Sequence, residues 1–191
     1  MKKIFILLAS AFLYTAASAQ TTWTADKNHS NVKFTVTHLL VNDVDGTFKN
    51  FDASIIAAKP DFSDAKVTFT VQTASVSTEN ENRDKHLSSA DFFDVANKPT
   101  ITFTSTGITK TSDKHYAVKG NLTLVGVTKP VTFDLWYRGT ITNPMSKADD
   151  AGFQLTGVIK RSDFNFGSKF GAAMLSDEVT IKANGEFAKA K

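Results

Sequence analysis

From Asn31 onward the chain alternates apolar and polar residues with a period of two, and that alternation recurs in eight separate segments. In "NVKFTVTH" Val32, Phe34, Val36 and His38 fall on one face and Lys33, Thr35 and Thr37 on the other; "KVTFTVQT" repeats the scheme with Val67, Phe69 and Val71. Side chains on a strand point alternately to its two faces, so each segment reads as a strand buried on one side. The others are "GTFKNFDASIIA", "TITFTST", "HYAVKGNLTL", "VTFDLWYRGT", "FQLTGVIKR" and "EVTIKANGEFA", joined by turns bearing Gly, Pro, Asn or Asp. Eight antiparallel strands with one apolar face favour a closed barrel, because closure removes the unpaired edges of an open sheet. No linker or shift in composition interrupts the rhythm, so residues 20–191 read as one all-β domain.

The first 19 residues are of a different kind. Lys2 and Lys3 precede an apolar run from Ile4, and Ala17-Ser18-Ala19 offers small residues where a signal peptidase cuts. We expect residues 1–19 to be a signal peptide and the remainder to be periplasmic or secreted. The apolar run is shorter than the roughly 20 residues of a spanning helix, and no later stretch is long enough to cross a bilayer. Exported proteins often carry disulfides, but this chain has no cysteine and must rely on its core. Two lysines of its formal charge of +3 belong to the leader, leaving the rest nearly neutral with scattered lysines, which gives no nucleic-acid footprint and no polybasic membrane patch.

One helix interrupts the strands. Thr78-Glu79-Asn80-Glu81 has the form of a capping box, predicting a helix from Thr78 to about Ser89, before "DFFDVANKP" returns the chain to the sheet. On it Arg83, His86 and Leu87 share a side, three and four residues apart, and Phe92 and Phe93 follow as the chain bends back. A short helix ending in two phenylalanines suits a cover for one barrel mouth.

An eight-stranded barrel either fills itself with side chains or holds one small ligand. Fourteen of the 16 phenylalanines lie beyond the leader, among small or polar inward candidates, Gly120, Thr156 or Gly157, Ala183 and Gly185, which is compatible with a lined cavity and with a filled core alike. Strand parity puts Phe34, Val36, Phe69, Val71, Phe103, Phe133, Leu135, Phe153 and Leu155 inside, with Phe93 joining them from the hook.

Enzyme signatures are scarce. His29, His38, His86 and His115 form no H-x-H or H-E-x-x-H, there is no G-x-S-x-G, and no glycine loop is spaced to cradle phosphate. Ser30 adjoins His29, but neighbours on a strand point apart. An enzyme using His38 or His86 as acid or base stays open, as does a solid-core module that binds a partner.

Five blocks then carry a resemblance: "TWTADKNHSNVKFTVTHLLVNDVDGTFKNFDASI", "RDKHLSSADFFDVANKPTITFTST", "VKGNLTLVGVTKPVTFDL", "VIKRSDF" and "SDEVTI". In this order they span almost everything after the leader and resemble the successive signatures of the YceI-like family. The resemblance implies a lipocalin-like antiparallel barrel, exported, that holds a polyisoprenoid or isoprenoid-quinone-like lipid without catalysis or cofactor; a homodimer is admissible. His29, Ser30 and His38 match the family's first motif, and Arg83, Asp84, His86 and Leu87 its helix motif. We expect the polar mouth to comprise His38, Arg83, Asp84, His86 and Arg161, because a charged lipid head needs a donor and the guanidinium fork binds oxyanions bidentately. The alternative is that Arg83 pairs with Asp84, Asp91 or Asp94 to fasten the helix. The chain departs from the family after Arg161-Ser162-Asp163-Phe164, where Asn165 and Phe166 precede Gly167.

Overall fold

A computed structural model of the chain describes residues 19–190; the expected leader, residues 1–19, lies outside them except for Ala19. The alternating segments form β1 (Thr21–Ala25), β2 (Asn31–His38), β3 (Asn42–Phe48), β4 (Phe51–Ala57), β5 (Lys66–Gln72), β6 (Val76–Ser77), β7 (Thr100–Ser112), β8 (His115–Leu124), β9 (Val127–Thr142), β10 (Asp149–Lys160) and β11 (Leu175–Lys189). All neighbouring pairs are antiparallel. The order β1-β4-β5-β7-β8-β9-β10-β11 closes on itself through β1 and β11, with Ala25 opposite Phe187. This is the expected eight-stranded barrel, and closure leaves its ring of strands without a free edge.

Eleven segments make eight staves because three strands are bent. Asp26–Ser30 separates β1 from β2, Lys49 and Asn50 separate β3 from β4, and the turn Thr73–Ser75 separates β5 from β6. Past the bends β2 still pairs with β11 and β3, and β6 with β3. Ladder bonds lost at the bends are replaced locally: the Asp26 carboxylate accepts from the Asn28 N–H at 2.9 Å, and the Ser75 hydroxyl from the Asn50 N–H at 3.0 Å. Each bend also resets the parity. Phe48 and Phe51 are an odd number of residues apart, yet both are buried. The eight-segment reading left out β1, too short to show its alternation around the buried Trp23, and the two-residue β6.

One end of the barrel is plugged from the β4–β5 connection. Phe62, left-handed at φ 61°, puts its ring within 5.3 Å of Trp23 and 4.9 Å of both Tyr137 and Phe153. The Tyr116 hydroxyl, inside the barrel, donates to the carbonyl of Asp61 beside it.

Over the other end lies α1 (Glu81–Leu87), and here the capping expectation needs correction. Asn80 is the N-cap, its side chain accepting from the Arg83 N–H at 3.0 Å, so the helix starts three residues later than predicted. Glu79 is left-handed at φ 58°, which breaks the geometry that a box from Thr78 requires. The phenylalanine hook does follow: Phe93 packs edge-on against Phe48 at 5.5 Å and touches Phe166 at 4.7 Å, while Phe92 stacks on Phe170 at 5.0 Å.

Candidate ligand cavity

The barrel is hollow. Between the Phe62 plug and α1 it encloses a cavity of about 400 Å³, within the range of small-molecule sites. Val32 and His38 both border it, six residues apart on β2, so the lumen extends roughly 20 Å along that strand. Nine of the ten expected lumen residues line it: Phe34, Val36, Phe69, Val71, Phe93, Phe133, Leu135, Phe153 and Leu155. Phe103 does not. It faces inward as expected, 1% exposed, but is packed away from the cavity, stacked on Phe69 at 5.2 Å and edge-on to Phe133 at 5.3 Å. Ala183, opposite Leu155 on β11, also faces the lumen.

Two arginines, Arg83 and Arg161, and two histidines, His38 and His86, border the cavity. His38 ends β2, paired with Asn42 and Leu175. Arg83 projects from α1, and its Nε and Nη2 donate to the Thr78 hydroxyl at 2.7 Å and the Thr78 carbonyl at 2.8 Å. Its Nη1 makes no hydrogen bond among the described residues. Thr78 is buried and its hydroxyl donates a hydrogen bond to Asp84 Oδ1 at 2.5 Å, so Arg83 reaches Asp84 through a hydroxyl rather than by a direct ion pair. Asp84 also accepts from the Thr78 N–H and does not border the cavity. His86 is half-exposed, edge-on to Phe92 at 5.1 Å and to Phe170 at 5.8 Å, with Nε2 3.7 Å from Asp91.

Arg161 is built differently. Only 5% exposed, it donates from Nε to the Ser176 carbonyl, from Nη1 to Phe166 and Gly167, and from Nη2 to Phe170 and Leu175. All five N–H groups of a guanidinium are thereby spent on backbone, leaving none for a lipid head. They gather the loop 165–175, and Asn165 and Phe166, where the chain departs from the family pattern, are part of this arrangement. Asn165 takes the left-handed turn at φ 56°, and the Phe166 ring packs on both Phe92 and Phe93. The loop is tied to the hook by Lys169 Nζ on Asp91 at 2.5 Å, a bond that holds the Asp91 carboxyl below its ordinary 3.8. Hydrogen bonds from the Ser162 hydroxyl and N–H lower Asp177 likewise.

The remaining histidines lie elsewhere. His29 contacts Asp26 at 2.8 Å, which raises its pKa above 6.5, and His115 contacts Asp134 while stacking on Trp136. Among the described residues no cluster of three or more His, Cys, Asp or Glu is placed to hold a metal. Thr78, Phe166 and Phe170 were missed by the sequence reading. The four-residue spacing of the last two in "FGSKF" was the available signal, but it lies in a loop where no period applies. Beside the mouth, the β2–β3 turn exposes Leu39, Leu40 and Val41, with Leu40 at 68%, and the Leu39 N–H donates to the carbonyl of half-exposed Met174.

A closed antiparallel barrel around an apolar cavity, with cationic side chains bordering one end, places the molecule among the barrels that hold a small ligand inside. The model of the YceI-like domain matches residues 23–187, and the chain belongs to the YceI-like family. A UPF0312 protein of Staphylococcus aureus strain N315 is 37% identical over 171 residues, covering 87% of this chain and 97% of that protein. Among solved structures, the Campylobacter jejuni YCEI protein is 33% identical with a TM-score of 0.74, over 81% of this chain and 90% of that one. Burkholderia cenocepacia BcnA is 25% identical with a TM-score of 0.73, over 85% and 98%. A polyisoprenoid binding domain from Saccharophagus degradans shares the fold at 14% identity and a TM-score of 0.66, over 88% and 98%. No helix of the described residues is long and apolar enough to cross a membrane.

Proposed function

We propose that this protein is an exported carrier that holds a polyisoprenoid or isoprenoid-quinone-like chain in its lumen, with an anionic or strongly polar head at Arg83 and His86. The observation that carries the reading is the cavity itself, walled by rings and branched aliphatics, with its charged side chains gathered toward the end that α1 covers. Burial of apolar surface contributes about 0.8 kcal/mol per methylene, so a long hydrocarbon binds with few polar contacts and the head is read at the rim. The free Nη1 of Arg83 supplies a charge-assisted donor there. The polyisoprenoid-binding Saccharophagus domain, similar in fold, supports the ligand class. The apolar rim of Leu39, Leu40, Val41 and Met174 suits loading from a lipid surface, and the leader in residues 1–19 supports delivery to the periplasm or beyond.

Organic extraction of the purified protein followed by mass spectrometry tests the proposal. A co-purifying isoprenoid chain is the expected result. An empty protein that also fails to take up polyprenols from solution would overturn it. Turnover of a bound isoprenoid lost on substituting His38 or His86 would instead make the protein an enzyme.

A further inference from the structure

The inner part of the lumen holds a polar atom without a partner. Ser30, where β1 bends into β2, turns its hydroxyl into the barrel; Oγ is buried and makes no hydrogen bond among the described residues. Opposite it stands Gly185 of β11. A Cβ built there would lie 3.1 Å from Ser30 Oγ and 2.7 Å from the Phe187 ring, so the hydroxyl and the ring edge crowd the place of the missing side chain and any side chain there would press on both. Ser30 is eight residues from His38 along the chain, roughly 25 Å of extended strand, and the charged residues that border the cavity lie toward the mouth.

A buried hydroxyl without a partner destabilises the empty protein, and such groups in native structures call for an explanation. An apolar chain end lying against Ser30 would leave it unpaired in the complex as well. A phosphate would arrive without a counter-charge, which burial penalises heavily. What the hydroxyl matches, as donor or acceptor, is a neutral oxygen.

We infer that Ser30 is an inner subsite that hydrogen-bonds an uncharged hydroxyl or carbonyl on a lipid bound with that end innermost. This rests on the carrier reading and deepens it. The two ends of the lumen then sort ligands, uncharged heads inward at Ser30 and anionic heads outward at Arg83 and His86.

The test compares a C20 isoprenoid alcohol with the hydrocarbon lacking its hydroxyl, by tryptophan fluorescence titration of wild type, Ser30→Ala and Gly185→Ala. The wild type should prefer the alcohol, and Ser30→Ala should reduce that preference about threefold to tenfold without lowering the melting temperature of the empty protein. Gly185→Ala, whose methyl would press on Ser30 Oγ while keeping the hydroxyl, should reduce it too, and decides the matter if Ser30→Ala melts early. An unchanged preference in both variants overturns the subsite, as expected if Oγ merely holds a water. Failure of the wild type to bind either lipid overturns the carrier reading and the subsite with it.

Discussion

Replacing Arg161 by Met should loosen the cover of the barrel. The side chain keeps an apolar stem but is two atoms shorter and loses five donors, so the carbonyls of Phe166, Gly167, Phe170, Leu175 and Ser176 lose their partner. A bond to a charged group contributes about 1.5 to 3 kcal/mol, and five in full would exceed the stability of many domains. The loop can instead open and let water reach the carbonyls. The expected loss is therefore the ~3 to 5 kcal/mol typical of breaking a buried charged network. At about 2 to 4 °C per kcal/mol for a chain of this size, the melting temperature should fall by roughly 6 to 20 °C. Hydrogen exchange should show residues 165–176 losing protection before the rest of the barrel. Arg161→Lys, with three donors from one point, should recover only part of the loss. A melting temperature within about 2 °C of wild type for the Met variant, or full recovery by Lys, would refute the argument that the planar fork organises this loop.

Arg83→Leu should weaken an isoprenoid diphosphate about 10- to 100-fold while hardly changing the bare hydrocarbon; equal losses, with a lower melting temperature, would mean that the bonds to Thr78 are its whole role. Ala183→Phe puts a ring into the ~400 Å³ cavity, and a series of polyprenols should show a shorter longest chain accepted; an unchanged limit would place the ligand elsewhere. The Lys169 and Ser162 bonds lower the folded pKa of Asp91 and Asp177, so their contribution is complete above the ordinary carboxylate value and lost as pH falls through the folded values. Exchange protection of residues 165–175 should accordingly hold from pH 7 to about 4 and decline only below about 3.8.

Alternation made the closed barrel legible because the lumen imposes period two on every stave, and eight cavity-lining residues followed from it, with Phe93 coming from the hook. The bends were not legible. Between Phe48 and Phe51, and between Val71 and Val76, the inward face changes parity, and that shift depends on local bonds such as Ser75 to Asn50 rather than on hydrophobicity. The mouth was legible only as residue types. Arg83 and Arg161 look alike in sequence, one with a spare donor and the other with none, because that difference is set by where a distant loop folds back.

Composition alone could not say whether fourteen phenylalanines fill a barrel or line one, and the answer lies in which residues the rings cover. A Cβ on Gly46 would fall 2.1 Å from the Phe34 ring, on Gly120 2.4 Å from Phe103, on Gly157 2.5 Å from Phe133, and on Gly185 2.7 Å from Phe187. Each ring therefore occupies the space of a missing side chain, an arrangement that covers exposed backbone and restores packing that a strand glycine lacks. Phe103, its ring over Gly120, is packed inside the barrel without bordering the cavity. Rings folded against the wall take little of the interior, so a phenylalanine-rich barrel stays hollow because its glycines are spaced to receive them.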